Sequence, residues 1–77
     1  MKFICDRKRH LVCLPYSVEN LHEMARQLEI NPLWYHLGKN KGHYDIPKGR
    51  IEEITSKCIV VNSKTILKII KGEITEL

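Results

Sequence analysis

The segment Gly38–Arg50, with the sequence GKNKGHYDIPKGR, is the part of the chain around which the rest is organised. It holds three of the four glycines. Its cations are Lys39, Lys41, Lys48 and Arg50. Glycine permits backbone conformations that other residues avoid and leaves N–H groups uncovered, while the cations add positive charge. The segment therefore predicts a site for phosphate or another anion; the alternative is a solvated loop without a ligand.

The triplet His43-Tyr44-Asp45 supplies the chemical groups of this segment. In an extended chain, alternation places His43 and Asp45 on one face and Tyr44 on the other. A carboxylate beside an imidazole would orient the ring and favour its protonated form. The alternative is that Asp45 caps a helix that begins at Ile46-Pro47, because proline is tolerated in the first turn.

Two short apolar runs precede this segment, over Lys2–Cys5 and His10–Leu14, and both are predicted to be strands. If they pair as a hairpin, Asp6 and His10 flank the turn and their side chains can meet. Parallel strands could not be joined by so short a connection.

The first helix has the clearest local signals. Ser17 is a good N-cap, and Tyr16 and Leu21 occupy the positions of a hydrophobic staple. The helix is predicted to end near Glu29. Its predicted apolar stripe consists of Val18, Leu21, Ala25 and Leu28, with Met24 at the edge. His22 lies one step off that stripe, where a histidine is either packed at the core boundary or available as a ligand.

The remaining elements follow the Asn31-Pro32 pair. Leu33–Leu37 is predicted to be a strand, in which Trp34 is either a core residue or a platform for stacking a base. A second helix is predicted over Ile46–Lys57, with Ile51 and Ile54 facing inward.

The C-terminal part predicts one more strand and one more helix. Cys58–Val61 reads as a buried strand, and Asn62 or Ser63 caps a helix that Gly72 ends. The fold class is thus α/β or α+β, in the order β-β-α-β-α-β-α, with about three helices on a three- or four-stranded sheet. Residues 1–72 form the single predicted domain, and residues 73–77 a loose tail.

The charge balance is compatible with an anionic partner but does not require one. Thirteen Lys and Arg against nine Asp and Glu give a net charge of +4, and Arg7 and Arg9 belong to one basic cluster. Three widely spaced cysteines predict reduced thiols of a cytoplasmic protein. No apolar run approaches bilayer length, so no membrane partner is expected. A core this small is compatible with a homodimer.

The motifs together resemble a known family. They are similar to the bacterial and phage family catalogued as domain of unknown function 4031. The matching positions are Asp6 after the first strand, the His10-Leu11 pair, the helix segment Glu19–Ala25 with Leu21 and His22, Trp34, and the triplet at residues 43–45. The resemblance covers about residues 1–70. Leu14-Pro15 and Ser56-Lys57 depart from its pattern. The resemblance implies a small cytoplasmic protein of a bacterium or phage and carries no established activity.

Three functions are compatible with these residues. The first is binding of a nucleotide or nucleic acid, with a ligand set of Lys39, Lys41, Tyr44, Lys48, Arg50, Arg7, Arg9 and Trp34. The second is docking onto a host or phage protein, for example to inhibit a defence system. The third is a phosphoesterase or nuclease with His43, Asp45 and His10 as catalytic groups. Zinc or manganese would then be held by His10, His22, His43 and Asp6.

Overall fold

The computed structural model describes residues 1–38 and 42–77 and begins with the predicted hairpin. Strands β1 (Lys2–Cys5) and β2 (His10–Leu14) are antiparallel. The Asp6 carboxylate closes the turn between them by accepting hydrogen bonds from the backbone N–H groups of Lys8 and His10, at 2.8 and 3.0 Å. Asp6 and His10 flank this turn and their side chains meet, which confirms the hairpin prediction.

Helix α1 (Val18–Gln27) begins where its cap signal predicts. The Ser17 hydroxyl accepts a hydrogen bond from the Asn20 N–H at 2.9 Å. The buried stripe contains Leu21, Met24, Ala25 and Leu28. Val18 is 43% exposed, so its assignment to the stripe was wrong; it stands at the first helical position, at the rim of the packed surface.

The aromatic run is only partly a strand. Pro32–Trp34 forms a 3-10 turn, because the Asn31 side chain caps it by accepting from the Leu33 N–H at 2.9 Å. Strand β3 is confined to Tyr35–Leu37. Trp34 is 37% exposed and therefore not the core residue that the simpler interpretation predicted.

Strand β4 (Gly42–Asp45) contains the His-Tyr-Asp triplet, and the following helix starts later than predicted. A 3-10 turn over Lys48–Arg50 leads into α2 (Ile51–Thr55). The prediction that Asp45 caps this helix was wrong, because Asp45 pairs with His10 in the sheet. Of the predicted inward pair, Ile54 is buried and Ile51 is 40% exposed.

The last two elements are β5 (Ile59–Val60) and α3 (Ser63–Ile70). Both β5 residues are at least 40% exposed, which contradicts the prediction of a buried strand, because β5 lies at an edge of the sheet. The Asn62 side chain caps α3 by accepting from the Thr65 N–H. Gly72 follows the helix with φ = +80°, a conformation that favours glycine.

The five strands form one mixed sheet in the order β3-β4-β2-β1-β5, so the protein is a small α+β domain with one strand more than the largest predicted sheet. Helix α1 contacts β2 and β4 on one face, and α3 contacts β2 on the other. Cys5, Cys13 and Cys58 are free thiols. Across residues 1–38 and 42–77, no helix combines the length and apolar character needed to cross a membrane.

Candidate functional site

The registers of three neighbouring strands place four polar side chains on one face of the sheet. In β4, His43 and Asp45 alternate with the buried Tyr44. His10 of β2 pairs with Asp45, and His36 of β3 pairs with His43. Because directly paired residues point to the same face, all four side chains lie together. We call His10, His36, His43 and Asp45 the histidine cluster.

Three members of the histidine cluster are arranged like metal ligands. One ligand atom from each of His10, His43 and Asp45 lies within 4.8 Å of the other two. His43 Nε2 is 3.4 Å from Asp45 Oδ1, and the His10 and His43 rings meet edge to face with centroids 5.1 Å apart. All three residues are half-buried. The cluster is thus held by the fold and still accessible to a small ligand.

Asp6 lies behind His10 rather than among the candidate ligands. Its side chain is 1% exposed, and its Oδ2 is 2.7 Å from His10 Nδ1 and accepts a hydrogen bond from Ser63 Oγ at 2.7 Å. Burial raises the pKa of the Asp6 carboxyl, but the hydrogen bonds from His10, Ser63 and the backbone outweigh it and leave this pKa below its ordinary value. The ionised carboxylate accepts a hydrogen bond from the Nδ1–H group of His10. In the neutral ring, His10 Nε2 then carries the lone pair.

His43 is held in a state suited to coordination. Burial lowers its pKa from the ordinary 6.5; Asp45 opposes this shift, and the neighbouring His10 and His36 add to it. A lowered pKa favours the neutral imidazole near pH 7, the form that binds metals and accepts protons. The sequence alone suggested that Asp45 would favour the protonated form of His43. Burial of the ring and the neighbouring histidines, which lower its pKa, could not be predicted from the sequence.

His36 is a member of the cluster that sequence reasoning missed. Its Nε2 is 3.0 Å from Asp45 Oδ2, and its ring stacks on that of His43 with centroids 5.6 Å apart and planes 17° apart. The antiparallel register of β3 with β4 pairs Leu37 with Gly42 and sets His36 opposite His43.

His22 and Tyr44 lie on the opposite face of the sheet. His22 Nδ1 is 2.6 Å from Tyr44 Oη, and Tyr44 is fully buried. The structure therefore does not bring His22 together with the other predicted metal ligands. Tyr44 is likewise not accessible for stacking a base, because its ring packs against Tyr35 and His22 inside the domain.

The predicted ligand-binding cations differ in their surroundings. Arg50 donates to the carbonyls of Leu28 and Glu29 at 2.7 and 2.8 Å and pairs with Glu53, so it fastens the end of α1. Arg9 donates to the Ile46 carbonyl at 3.2 Å, next to Asp45.

Four further cations of the predicted ligand set remain. Arg7 and Lys48 are exposed. Lys39 and Lys41 lie outside the described residues.

The predicted anion-binding segment includes residues 39–41, which lie outside the described residues, so it stays a prediction. Among the described residues, Gly72 has a positive φ, of +80°. Gly42 accommodates a side chain: a Cβ at this position would lie 2.1 Å from Tyr35 Oη. The Gly42 carbonyl also accepts a hydrogen bond from the Tyr16 hydroxyl at 2.7 Å.

Comparisons with known proteins return no matching family model, no matching curated protein and no matching solved structure. The resemblance to domain of unknown function 4031 accordingly stays a prediction from the sequence. What can be inferred about function comes from the geometry of the histidine cluster.

Proposed function

We propose that the protein binds a divalent metal ion, zinc or manganese, through His10, His43 and Asp45, and uses it to hydrolyse a phosphate ester. The observation that carries this proposal is the convergence of three ligand atoms within 4.8 Å of one another. Two imidazoles and one carboxylate are a ligand set that suits zinc and manganese. This revises the predicted ligands, because Asp45 replaces His22 and Asp6 supports His10 from behind.

The contact between Asp6 and His10 supports the metal proposal independently of the ligand spacing. Metal-binding histidines usually donate their second ring N–H to a carboxylate or carbonyl, which fixes the tautomer and the ring orientation. His10 Nδ1 makes this contact with the buried Asp6 at 2.7 Å. His10 Nε2 is left as the coordinating nitrogen.

Three protein ligands correspond to a catalytic rather than a structural metal site. Structural zinc sites are closed by four protein ligands, whereas catalytic sites keep a position for water or substrate. A zinc or manganese ion held by His10, His43 and Asp45 would supply Lewis acidity and a nucleophile near neutral pH. His36 Nε2 lies 3.0 Å from Asp45 Oδ2 beside the three ligands, where the ring could exchange a proton with the leaving group.

The charge around the cluster favours a phosphate-bearing substrate. The basic cluster at residues 7–9 immediately precedes His10, and Arg9 is held beside Ile46 at the end of β4. Lys48 is exposed three residues after Asp45. Phosphate contacts of this kind weaken steeply as salt increases, so substrate binding should decrease between low and moderate ionic strength.

Metal analysis of the purified, tag-free protein is the first test, combined with thermal melting in chelator and in added zinc or manganese. A ligand present at 100 times its Kd stabilises the folded state by about 2.7 kcal/mol. We expect this stabilisation to be lost in His43→Ala and retained in His22→Ala, the matched histidine on the opposite face. Equal losses in both variants, or no metal-dependent shift in the parent protein, would contradict the site.

Hydrolysis is tested separately with bis(p-nitrophenyl) phosphate. We expect turnover that requires the added metal and is lost in Asp45→Asn. Metal binding without any turnover would reduce the proposal to a metal-dependent phosphate binder, which is the non-enzymatic function that the sequence also suggested.

Docking onto a host or phage protein is the second candidate, and a specific surface favours it. Leu33, Trp34 and Leu37 are 87%, 37% and 74% exposed around the edge strand β3. Exposed apolar residues beside an unpaired strand edge favour association. If a single partner is captured from host extract, Trp34→Ala should abolish capture and His43→Ala should leave it unchanged; the opposite pattern favours the metal function. A cytoplasmic location and a homodimer stay predictions.

A further inference from the structure

A small cleft separates α3 from the histidine cluster. Its volume is about 150 Å³. Its lining consists of His10, His43, Ser63, Ile66, Leu67 and Ile70. Two of the candidate metal ligands thus form one wall, so a molecule bound to the metal can extend directly into the cleft.

The α3 wall of the cleft is apolar. Ile66 and Ile70 are 3% and 6% exposed and form part of the core, whereas Leu67 is 51% exposed. An exposed leucine is ordinary on a surface, but this one lines a cleft beside a polar cluster. A ligand group that covers Leu67 would bury apolar area that now faces water.

The polar groups of the cleft have other partners. Ser63 Oγ donates to Asp6, and His10 Nδ1 contacts the same carboxylate. The His10 and His43 rings meet at 86°, so together they offer aromatic edges and faces as well as ring nitrogens. The cleft therefore suits a flat apolar group better than a hydrated or charged one.

From this geometry we infer that the cleft is a subsite for one six-membered aromatic ring of the substrate. An apolar cavity of about 150 Å³ accommodates benzene, and two isoleucines and a leucine on one side with imidazoles on the other provide the surfaces such a ring packs against. The inference rests on the proposed function for the phosphoryl end of the ligand. The substrate class becomes a phosphate ester with a compact aromatic ring near the phosphorus.

The test compares phenylphosphonate with methylphosphonate on the zinc-loaded protein by titration calorimetry. Both probes present the same phosphonate group to the metal, so the ratio of their Kd values measures the contribution of the phenyl ring to binding. We expect phenylphosphonate to bind about tenfold more tightly or better, as partial burial of a ring predicts.

Two leucine variants show where the ring binds. Leu67→Ala should reduce the ratio of the two Kd values to below about threefold. Leu33→Ala removes a more exposed leucine that does not line the cleft, and should leave the ratio unchanged. Equal Kd values in the parent protein, or equal effects of the two variants, would overturn the subsite while leaving the metal site intact.

A protein that binds neither zinc nor manganese would contradict the proposed function, and the subsite is then tested alone. Phenol is titrated into the metal-free protein, with amide chemical shifts as the readout. Shifts concentrated at Leu67 and Ile70 support the subsite, and shifts spread over the surface or absent overturn it.

The source of the ring is decided by a further pair of probes. Uridine 5′-monophosphate is compared with ribose 5-phosphate, and the Leu67→Ala ratio is measured again. A base-dependent gain that requires Leu67 assigns the ring to a pyrimidine nucleotide, whereas a gain confined to phenylphosphonate assigns it to an aryl ester.

Discussion

The two faces of strand β4 carry histidines in opposite circumstances. On one face Tyr44 is fully buried and its hydroxyl contacts His22, whose ring packs on Tyr35. On the other face His43 and Asp45 are half-buried and converge with His10. His22 contacts the Tyr44 hydroxyl. On the second face, one ligand atom from each of His10, His43 and Asp45 lies within 4.8 Å of the other two. A histidine is a functional candidate because of its neighbours, and its presence in the sequence carries little information.

The largest expected difference between the faces is in stability. Tyr44→Ala removes a fully buried ring and should lower the free energy of unfolding by about 3–5 kcal/mol, as for other large aromatic truncations. His43→Ala should cost less than about 1 kcal/mol, because its side chain is partly exposed and its partners remain solvated. Urea denaturation measures both. Similar costs would mean that the two faces are equally structural.

The next prediction tests the supporting role of Asp6 separately from the candidate metal ligands. Asp6→Asn presents an amide N–H to His10 Nδ1, so the ring should shift its proton to Nε2 and lose the coordinating lone pair. Metal affinity should fall about 10–100-fold, the usual range for such supporting groups. Nitrogen-15 spectra of the imidazoles report the tautomer directly. An unchanged tautomer with unchanged affinity would remove Asp6 from the site.

Gly42→Ala tests the packing on the face of β4 that carries Tyr44, at the first residue of the strand. The added Cβ would meet the Tyr35 hydroxyl, and the Tyr35 ring is confined by Tyr44 and His22. Overpacking of this kind should destabilise the fold by about 1–3 kcal/mol. Gly49→Ala is the control, because a Cβ there has nothing within 4 Å. Thermal melting should separate the two variants clearly.

The smallest expected effect is a pH dependence of stability that arises from the histidine cluster. Above its ordinary pKa of 6.5, His43 is neutral in both states; below it the unfolded state takes up a proton before the folded state, so stability falls as pH decreases. Asp45, His10 and His36 face His43 and shape this step. A second loss should follow below pH 3.8, as Asp6 is protonated. His43→Gln should remove only the first step, and a parent protein whose stability rises on acidification would contradict it.

The sequence predicted the local elements better than their partners. The Ser17 cap, the Asn62 cap and the β1–β2 hairpin depend on residues close in the chain, and all three were confirmed. The Asp45 cap was wrong because a competing long-range pairing with His10 occupies that residue. Cap propensity cannot register a partner 35 positions away.

The residues of the candidate site show the same difference between local signals and long-range partners. His10, His43 and Asp45 were predicted from residue type and alternation, and the structure brings them together. His22 was misplaced because helix periodicity gives its position on α1 but not which face of the sheet the helix covers. His36 was missed because its place in the cluster depends on the register of β3 with β4, which the sequence analysis did not predict.

The hydrogen bond from Ser63 to Asp6 joins residues 57 positions apart, the first turn and the last helix. During synthesis the hairpin that carries Asp6 and His10 leaves the ribosome long before α3 does. Until α3 docks, the carboxylate lacks one of its partners and the cleft lacks its apolar wall. The order of synthesis therefore delays a complete site until α3 has formed, so a chain that ends before α3 lacks both the Ser63 hydrogen bond and the apolar wall of the cleft.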